Sequence, residues 1–265
     1  MREIFENMRD AFENCVARYT IGFVFPFQGP PHLDVAAGVA VKWNGRCLIV
    51  TARHVLKEED FDGVHLILPL DQPFGRGGPI VVPKKTHPMV EMPVPKASFV
   101  QCEWEDLGYF EVASNFGGSS DLDFYPLPPL ARTPGSNTGC VLMGFPRDLS
   151  GPLSRSQAAA VLAARWSSVH DVGEEAKFLK PFAQNNHFLM KFHAADKGKS
   201  AEGFSGGGVW FLIEQPGSET VWRPTPGLAG IQSKWFSKKS ITLAVRVELL
   251  VRFLSESIGA GGDIG

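Results

Sequence analysis

Helical spacing of apolar residues occurs at the two ends of the chain, and short strand-like runs fill the rest. Residues 3–16 place apolar side chains three and four positions apart, which predicts an amphipathic N-terminal helix. The string VELLVRFLSES has the same spacing and predicts a helix near the C-terminus. The glycine-rich end, GAGGDIG, predicts a mobile tail.

From residue 20 onward, β-branched and aromatic runs alternate with Gly, Pro and Asn, which predicts consecutive strands. The predicted strands are TIGFVF, VAAGVAVKW, RCLIVTA, GVHLILPL, SFVQC, LGYFEV, GCVLMGF, QAAAVLAARW, HFLMKFH, GGVWFLI, GLAGIQS and SITLAVRV. Asn44 and Gly45 separate the second run from the third, and both can adopt positive φ, so these two strands are expected to form a hairpin. Many short strands with few helices between them favour antiparallel barrels or sandwiches over a βαβ sheet.

Two stretches rich in proline or glycine divide the chain. Residues 71–97 predict a long surface excursion with no catalytic part, because proline cannot donate to a central ladder. The stretch around residues 126–137 predicts a link between two lobes. The expected division is an N-terminal helix (1–19), a first lobe (20–130), a second lobe (131–247), and a C-terminal helix with its tail (248–265).

Composition and charge indicate an ordinary packed protein. Hydrophobic residues make up 44% and charged residues 20% of the 265 residues. The formal net charge of -2 provides no broad attraction for phosphate backbones or anionic lipids, so neither nucleic acid nor a membrane is an expected partner. No apolar run reaches the length of a membrane span, and the N-terminus lacks the apolar core of a signal peptide.

The four cysteines are Cys15, Cys47, Cys102 and Cys140. They form no CxxC pair and have no histidine at metal-ligand spacing, so no metal or other cofactor is expected. Two disulfides are arithmetically possible. Without a secretion signal, four small buried thiols in a reducing cytoplasm are the favoured interpretation.

A glycine-rich string around Ser205, GFSGGG at 203–208, carries candidate chemistry. Residues without side chains let the backbone turn sharply and direct N–H groups at a substrate carbonyl. The string also fits the nucleophile elbow of α/β hydrolases, in which the histidine follows the serine. All seven histidines precede Ser205, so the elbow is excluded and the order His, Asp, Ser remains.

Three motifs in that order resemble those of the trypsin-like serine peptidase family. They are VTARHV at 50–55, DLGYF at 106–110 and GFSGG at 203–207. Weaker similarities are GCVLMGFP at 139–146, and LAGIQ at 228–232, which is similar to the strand that pairs with substrate. The resemblance covers residues 20 to 250, and it implies an all-β fold of two six-stranded antiparallel β-barrels with the active site in the cleft between them.

The resemblance also implies roles for individual residues. His54, Asp106 and Ser205 would form the catalytic triad, and the main-chain N–H groups of Gly203 and Ser205 would form the oxyanion hole. The remaining assignments are substrate-binding residues: Gly230, Ile231 and Gln232 on a strand, and Lys199, with Lys197 near it, at the floor of the primary pocket.

Two of these assignments have competing interpretations. Lys199 would favour an acidic substrate side chain, but its loop, DKGKSAEG, is also typical of a solvated surface segment. Asp121 and Asp123 are alternatives to Asp106. They lie in a polar stretch typical of a solvated turn, whereas Asp106 precedes an apolar strand, so Asp106 is favoured.

The sequence departs from secreted family members at several positions. Phe204 occupies the place of the aspartate that pairs with a newly cut N-terminus in digestive enzymes, and no Ile-Val-Gly-Gly junction is present. Val55 replaces a disulfide-forming cysteine. In these positions the sequence resembles stand-alone intracellular bacterial peptidases. The resemblance implies that the oxyanion loop is either formed from the outset or ordered by something else, such as a regulatory protein partner.

The favoured hypothesis is a regulated cytoplasmic serine endopeptidase that needs no cofactor and acts on protein or peptide substrates. One alternative is a catalytically silent binding module on the same fold, which would hold a partner in the cleft or on the 71–97 excursion. Another is a hydrolase of small esters or amides, because the same triad can perform that reaction.

Overall fold

The computed structural model describes residues 2–25, 34–56, 64–68, 80–81, 89–91, 98–114, 116, 123–147, 151–154, 157–159, 161–170, 179–191, 201–213 and 224–259. Two α-helices lie at the ends of this range, α1 (Arg2–Ala17) and α2 (Val247–Ile258). Both terminal helices predicted from the apolar spacing are therefore confirmed. The predicted tail after residue 259 lies outside the described residues.

Strands make up most of the described residues between the two helices. In chain order they are β1 (Thr20–Val24), β2 (Val35–Trp43), β3 (Arg46–Thr51), β4 (His65–Ile67), β5 (Ile80–Val81), β6 (Met89–Glu91), β7 (Val100–Gln101), β8 (Gly108–Val112), β9 (Tyr125–Pro126), β10 (Gly139–Gly144), β11 (Gly151–Ser154), β12 (Gln157–Ala159), β13 (Val161–His170), β14 (His187–Lys191), β15 (Gly208–Leu212), β16 (Pro226–Phe236) and β17 (Ile241–Arg246).

The first sheet has the strand order β6-β4-β1-β2-β3-β8-β7, and β9 pairs in parallel with β2. Asn44 and Gly45 form the turn between β2 and β3 with φ of 47° and 78°, so the predicted hairpin is confirmed. The sheet curls around an apolar interior supplied by β1, β2, β3, β4 and β8.

The second sheet closes into a six-stranded antiparallel barrel. Its path runs β10-β15-β16-β17-β14-β13, and β13 pairs back with β10. Together with the first sheet and the terminal helices, this barrel gives the chymotrypsin-like two-barrel architecture. The predicted fold class is confirmed, although the first sheet contains more than the six strands expected.

Four short strands were not predicted as strands from the sequence. Two of them lie within the 71–97 excursion, where β5 pairs with β13 and β6 pairs with β4. The apolar run IVV at 80–82 and the pair Met89–Val90 supply strand-forming residues among the prolines. β9 and β11 each contain a proline, which is uncommon within strands, so their sequences did not indicate strands either. The excursion is therefore tied to both sheets at these points.

Strand β2 is buried on both faces because it lies between two apolar layers. Ala36 and Ala40 face the interior of the first sheet, whereas Val39 and Val41 face the core shared with the second barrel and the helices. Side chains alternate across a strand, so one run can contribute to both layers. Phe12 of α1 joins the shared core, which consequently holds both sheets and both helices together.

All four cysteines are free thiols, in agreement with the favoured interpretation. Cys47, Cys102 and Cys140 are buried, whereas Cys15 is only partly buried, which differs from the prediction. Burial raises the pKa of the Cys140 thiol to about 12. In the part of the chain that the structure describes, no helix combines the length and apolar character that crossing a lipid bilayer requires.

Candidate active site

His54 lies in a single 3₁₀ turn, Arg53–Val55, directly after strand β3. The N–H of Val55 donates to Ala52 O at 3.0 Å and closes the turn. Arg53 Nη1 donates to Cys102 O at 2.9 Å, which attaches the turn to the segment before β8. The His54 side chain is 42% exposed, so its ring remains accessible to a substrate.

Asp106 approaches His54 from the loop between β7 and β8. Its Oδ1 accepts the main-chain N–H of His54 at 3.0 Å, and its Oδ2 lies 2.7 Å from His54 Nδ1. An ionised carboxylate can only accept hydrogen bonds, so Nδ1 carries the proton and Nε2 is left as the acceptor. This tautomer is the one that a general base needs to take a proton at Nε2.

Ser233 provides a further hydrogen bond to Asp106, and sequence reasoning missed this residue. Its Oγ donates to Asp106 Oδ2 at 2.6 Å. The register of β16 against β17 shifts between Gln232 and Lys234, so Ser233 lies at a bulge. A bulge redirects a side chain and is not recognisable from apolar alternation. The sequence signal was a lone serine directly after the GIQ string.

Burial and hydrogen bonding shift the pKa of the Asp106 carboxyl in opposite directions. Burial alone would raise the pKa of the Asp106 carboxyl, but the hydrogen bonds from His54 and Ser233, together with the charge of His54, outweigh it. The resulting pKa is below the ordinary value for aspartate. Asp106 therefore stays ionised at neutral pH while it holds the histidine ring.

Ser205 lies in a tight loop that other strands hold by main-chain hydrogen bonds. The N–H of Ala37 donates to Ser205 O at 2.8 Å, and the N–H of Gly206 donates to Gln232 O at 2.8 Å. Gln232 N in turn donates to Gly207 O at 2.9 Å. The serine loop is thereby attached both to β2 of the first sheet and to the strand that carries Ser233.

Gly206 brings the serine loop into direct contact with the end of β3. Its φ is +83°, and a Cβ added there would lie 2.0 Å from Thr51 Oγ1 and 2.2 Å from Ala37 O. Only glycine fits this close approach without displacing the backbone. Since Thr51 precedes His54 by three residues, Ser205 and His54 lie at the same end of β3.

The peptide groups on either side of Phe204 direct two N–H groups away from the hydrogen-bond partners of their carbonyls. The carbonyl of Glu202 accepts from Arg147 N at 2.9 Å, and that of Phe204 accepts from Gly207 N at 2.8 Å. In a trans peptide the N–H points opposite to the carbonyl, so the N–H groups of Gly203 and Ser205 face the other way. Among the described residues, neither N–H donates to an acceptor.

Phe204 anchors this loop in the second barrel. It is fully buried, and the Cβ position of Gly144 lies only 2.8 Å from its ring. The guanidinium of Arg165 lies 5.7 Å from the ring centroid. An apolar side chain therefore anchors the serine loop.

The predicted substrate-binding residues stay predictions. Gly230, Ile231 and Gln232 are buried, and the main chain of Gln232 is bonded to the serine loop. Their contact with a substrate stays a prediction. Lys197 and Lys199 lie outside the described residues, so the pocket assignment also stays a prediction.

Asp123, one of the two aspartates considered as alternatives, contacts a different residue. Asp123 forms an ion pair with Arg18, the residue that follows α1, and Asp121 lies outside the described residues. The carboxylate that the structure brings to His54 is that of Asp106.

Comparisons with known proteins support the fold and leave the family open. No protein-family model matches the sequence, and no curated protein matches it. Among solved structures, the chain is similar to a serine endoprotease from Yersinia pestis, with a TM-score of 0.51 and 14% sequence identity. The match covers 96% of this chain and 67% of that one. At this identity the likeness supports the two-barrel fold alone.

Proposed function

We propose that this protein is a serine endopeptidase with His54, Asp106 and Ser205 as its catalytic triad. The observation that carries the proposal is the pair of hydrogen bonds from the main chain and ring of His54 to Asp106, at the end of β3 that the Ser205 loop contacts. The fold likeness to a serine endoprotease is consistent with a hydrolase but does not identify the reaction.

In the proposed mechanism, Ser205 Oγ attacks the substrate carbonyl carbon while His54 Nε2 takes the hydroxyl proton. Asp106 holds the ring in the tautomer described above and stabilises the imidazolium that forms. The imidazolium then protonates the leaving amine, which breaks the peptide bond and leaves an ester on Ser205. Water, deprotonated by His54, hydrolyses this acyl-enzyme and regenerates the serine.

The negative oxygen of each tetrahedral intermediate would be bound by the N–H groups of Gly203 and Ser205. These are the two N–H groups that point away from the carbonyl-binding partners Arg147 and Gly207. Each such donor lowers the barrier by about 3 kcal/mol. Because the loop is held by protein hydrogen bonds and by buried Phe204, the proposed oxyanion hole needs no cut N-terminus.

The test is intact-mass measurement after reaction with a fluorophosphonate, which phosphonylates activated serines. Wild type should gain one adduct, and Ser205→Ala and His54→Ala should gain none. Ser257→Ala is the matched control, because Ser257 lies near the end of α2 and its Oγ donates only to Phe253 O. It should label at the wild-type rate.

Substrate assays complete the test. Cleavage of a denatured protein or a peptide by wild type, lost in Ser205→Ala, would support the endopeptidase. Turnover of simple esters without any peptide cleavage would favour the small-ester hydrolase instead. A folded wild type that neither labels nor cleaves would contradict the proposed function and favour a binding module.

A further inference from the structure

Glu105, the neighbour of Asp106, is a buried carboxylate that the proposed mechanism does not use. Its side chain is 7% exposed and crosses from the loop before β8 to the second barrel. There its Oε2 lies 3.0 Å from His187 Nε2, and its Oε1 accepts from Asn186 Nδ2 at 2.5 Å. The Asp106 loop of the first sheet is therefore attached to the start of β14 by a buried polar cluster.

The hydrogen bonds of His187 determine where its proton lies. The N–H of Ala183 donates to His187 Nδ1 at 2.9 Å, so this nitrogen acts as an acceptor and carries no proton. The proton of the neutral ring must then be on Nε2, which donates to Glu105. Glu105 thus receives directed hydrogen bonds from both a ring and an amide.

These hydrogen bonds keep Glu105 ionised despite its burial. Burial alone would raise the pKa of the Glu105 carboxyl, but the hydrogen bonds from His187 and Asn186 outweigh this effect. The resulting pKa is below the ordinary value for glutamate. The cluster therefore holds a buried negative charge one residue away from Asp106.

The segment that receives Glu105 is itself held in place by the end of β17. Arg246 N donates to Asn186 O at 2.9 Å, and Arg246 Nε lies 3.1 Å from Gln184 O and 3.2 Å from His187 O. Strand pairing of His187 with Val245 adds to this attachment. Glu105 is consequently anchored to a fixed part of the second barrel.

We propose that Glu105, held by His187 and Asn186, is a positioning residue that sets the location of Asp106 relative to His54. Glu105 is anchored to the second barrel and is adjacent to Asp106, which holds His54 of the first sheet, so a shift of Glu105 moves Asp106. Burial of a carboxylate is costly, and the hydrogen bonds to Glu105 come from a neutral ring and an amide, so stability alone does not account for this cluster. The kinetic part of the inference rests on the proposed function.

The test compares Glu105→Ala with Glu105→Gln through the rate constant of fluorophosphonate labelling as a function of pH. Glu105→Ala releases the loop, and a misplacement of about 1 Å in a catalytic group can lower a rate about 100-fold. The acid limb of the pH profile should also move to lower pH, because an imidazolium without its carboxylate partner loses its proton more easily. Glu105→Gln can still accept from His187 and should stay close to wild type.

Controls separate positioning from folding. Glu103→Ala lies in the same loop with an exposed side chain, and it should label like wild type. Rates are normalised to the fraction of folded protein. If Glu105→Ala fails to fold, the double variant Glu105→Leu/His187→Leu replaces the buried pair with apolar side chains and should show the same loss of rate and the same pH shift.

A nuclear magnetic resonance measurement distinguishes failure of the inference from failure of the proposed function. The His54 Nδ1 proton, hydrogen-bonded to Asp106, should give a downfield signal in wild type and Glu105→Gln that is lost in Glu105→Ala. This result would support positioning even if wild type never labels. Unchanged signal, normalised rate and pH profile in folded Glu105→Ala would overturn the inference.

Discussion

Asp106 is the residue at which the hydrogen bonds of the candidate site converge. It accepts from the main chain and the ring of His54 and from the hydroxyl of Ser233. These donors come from different sheets, so the carboxylate depends on both barrels. Its lowered pKa is the electrostatic result of this arrangement.

The lowered pKa of Asp106 predicts a specific dependence of stability on pH. A carboxyl with a depressed pKa in the folded state stabilises the fold above its unfolded pKa, about 3.9, and this contribution is lost as pH falls through the folded value. The free energy of unfolding of wild type should therefore exceed that of Asp106→Asn by a margin that shrinks as pH falls below about 5. Urea titrations at several pH values measure it, and a margin independent of pH would contradict the prediction.

Ser233→Ala should lower the labelling rate because Asp106 loses one of its donors. A hydrogen bond to a charged group contributes about 1.5 kcal/mol or more, which corresponds to about a tenfold fall if the bond matters fully in the transition state. Ser233→Thr retains the hydroxyl and serves as the matched variant. Labelling rates equal to that of wild type in both variants would show that Ser233 does not contribute to the site.

At the scale of elements, the serine loop, β3 and β16 fit together through main-chain contacts. Gly206 lies against Thr51 at the end of β3, and the main chain of Gln232 in β16 bonds to the loop at Gly206 and Gly207. This interlocking explains why GFSGGG contains so many residues without side chains. Any added volume on the inner side of the loop would displace it from the end of β3.

Gly206→Ala should abolish labelling, because its methyl group would collide with Thr51 and Ala37 while the residue keeps a positive φ. Gly139→Ala is the matched control, since a Cβ at Gly139 meets no atom within 4 Å. Intact-mass kinetics on both proteins provide the comparison. Normal labelling of folded Gly206→Ala would show that the loop tolerates displacement.

At the scale of the whole molecule, α1 is part of the shared core. Phe12 packs against Trp166 of the second barrel with ring centroids 5.8 Å apart, and Glu13 accepts from Trp166 Nε1 at 2.5 Å. Residues of both sheets and of α2 belong to the same apolar cluster as Phe12. The N-terminal helix therefore stabilises the arrangement of the two barrels.

Phe12→Ala should lower the free energy of unfolding by about 3–5 kcal/mol, as expected for a large aromatic residue removed from a packed core. Asp10→Ala, at a half-buried polar position of the same helix, should change it by about 1 kcal/mol or less. Chemical denaturation measures both values. Similar stabilities for the two variants would mean that α1 is only loosely attached.

The sequence by itself determined the local elements of this protein, because apolar spacing and turn residues act over a few positions. It predicted both helices, most strands and the Asn44-Gly45 hairpin, and it indicated His54, Asp106 and Ser205 as candidates through their motifs. It did not indicate the four short strands that lie among prolines, or the bulge at Ser233.

Only the tertiary structure decided which distant groups meet. The choice between Asp106 and Asp123 depends on contacts with His54 and Arg18 across the fold, and the Glu105 cluster joins residues more than eighty positions apart. Such contacts are set by how two barrels close and pack, which no local pattern encodes. The same closure places Gly206 against Thr51, and this packing brings the serine loop to the end of β3 that carries the histidine.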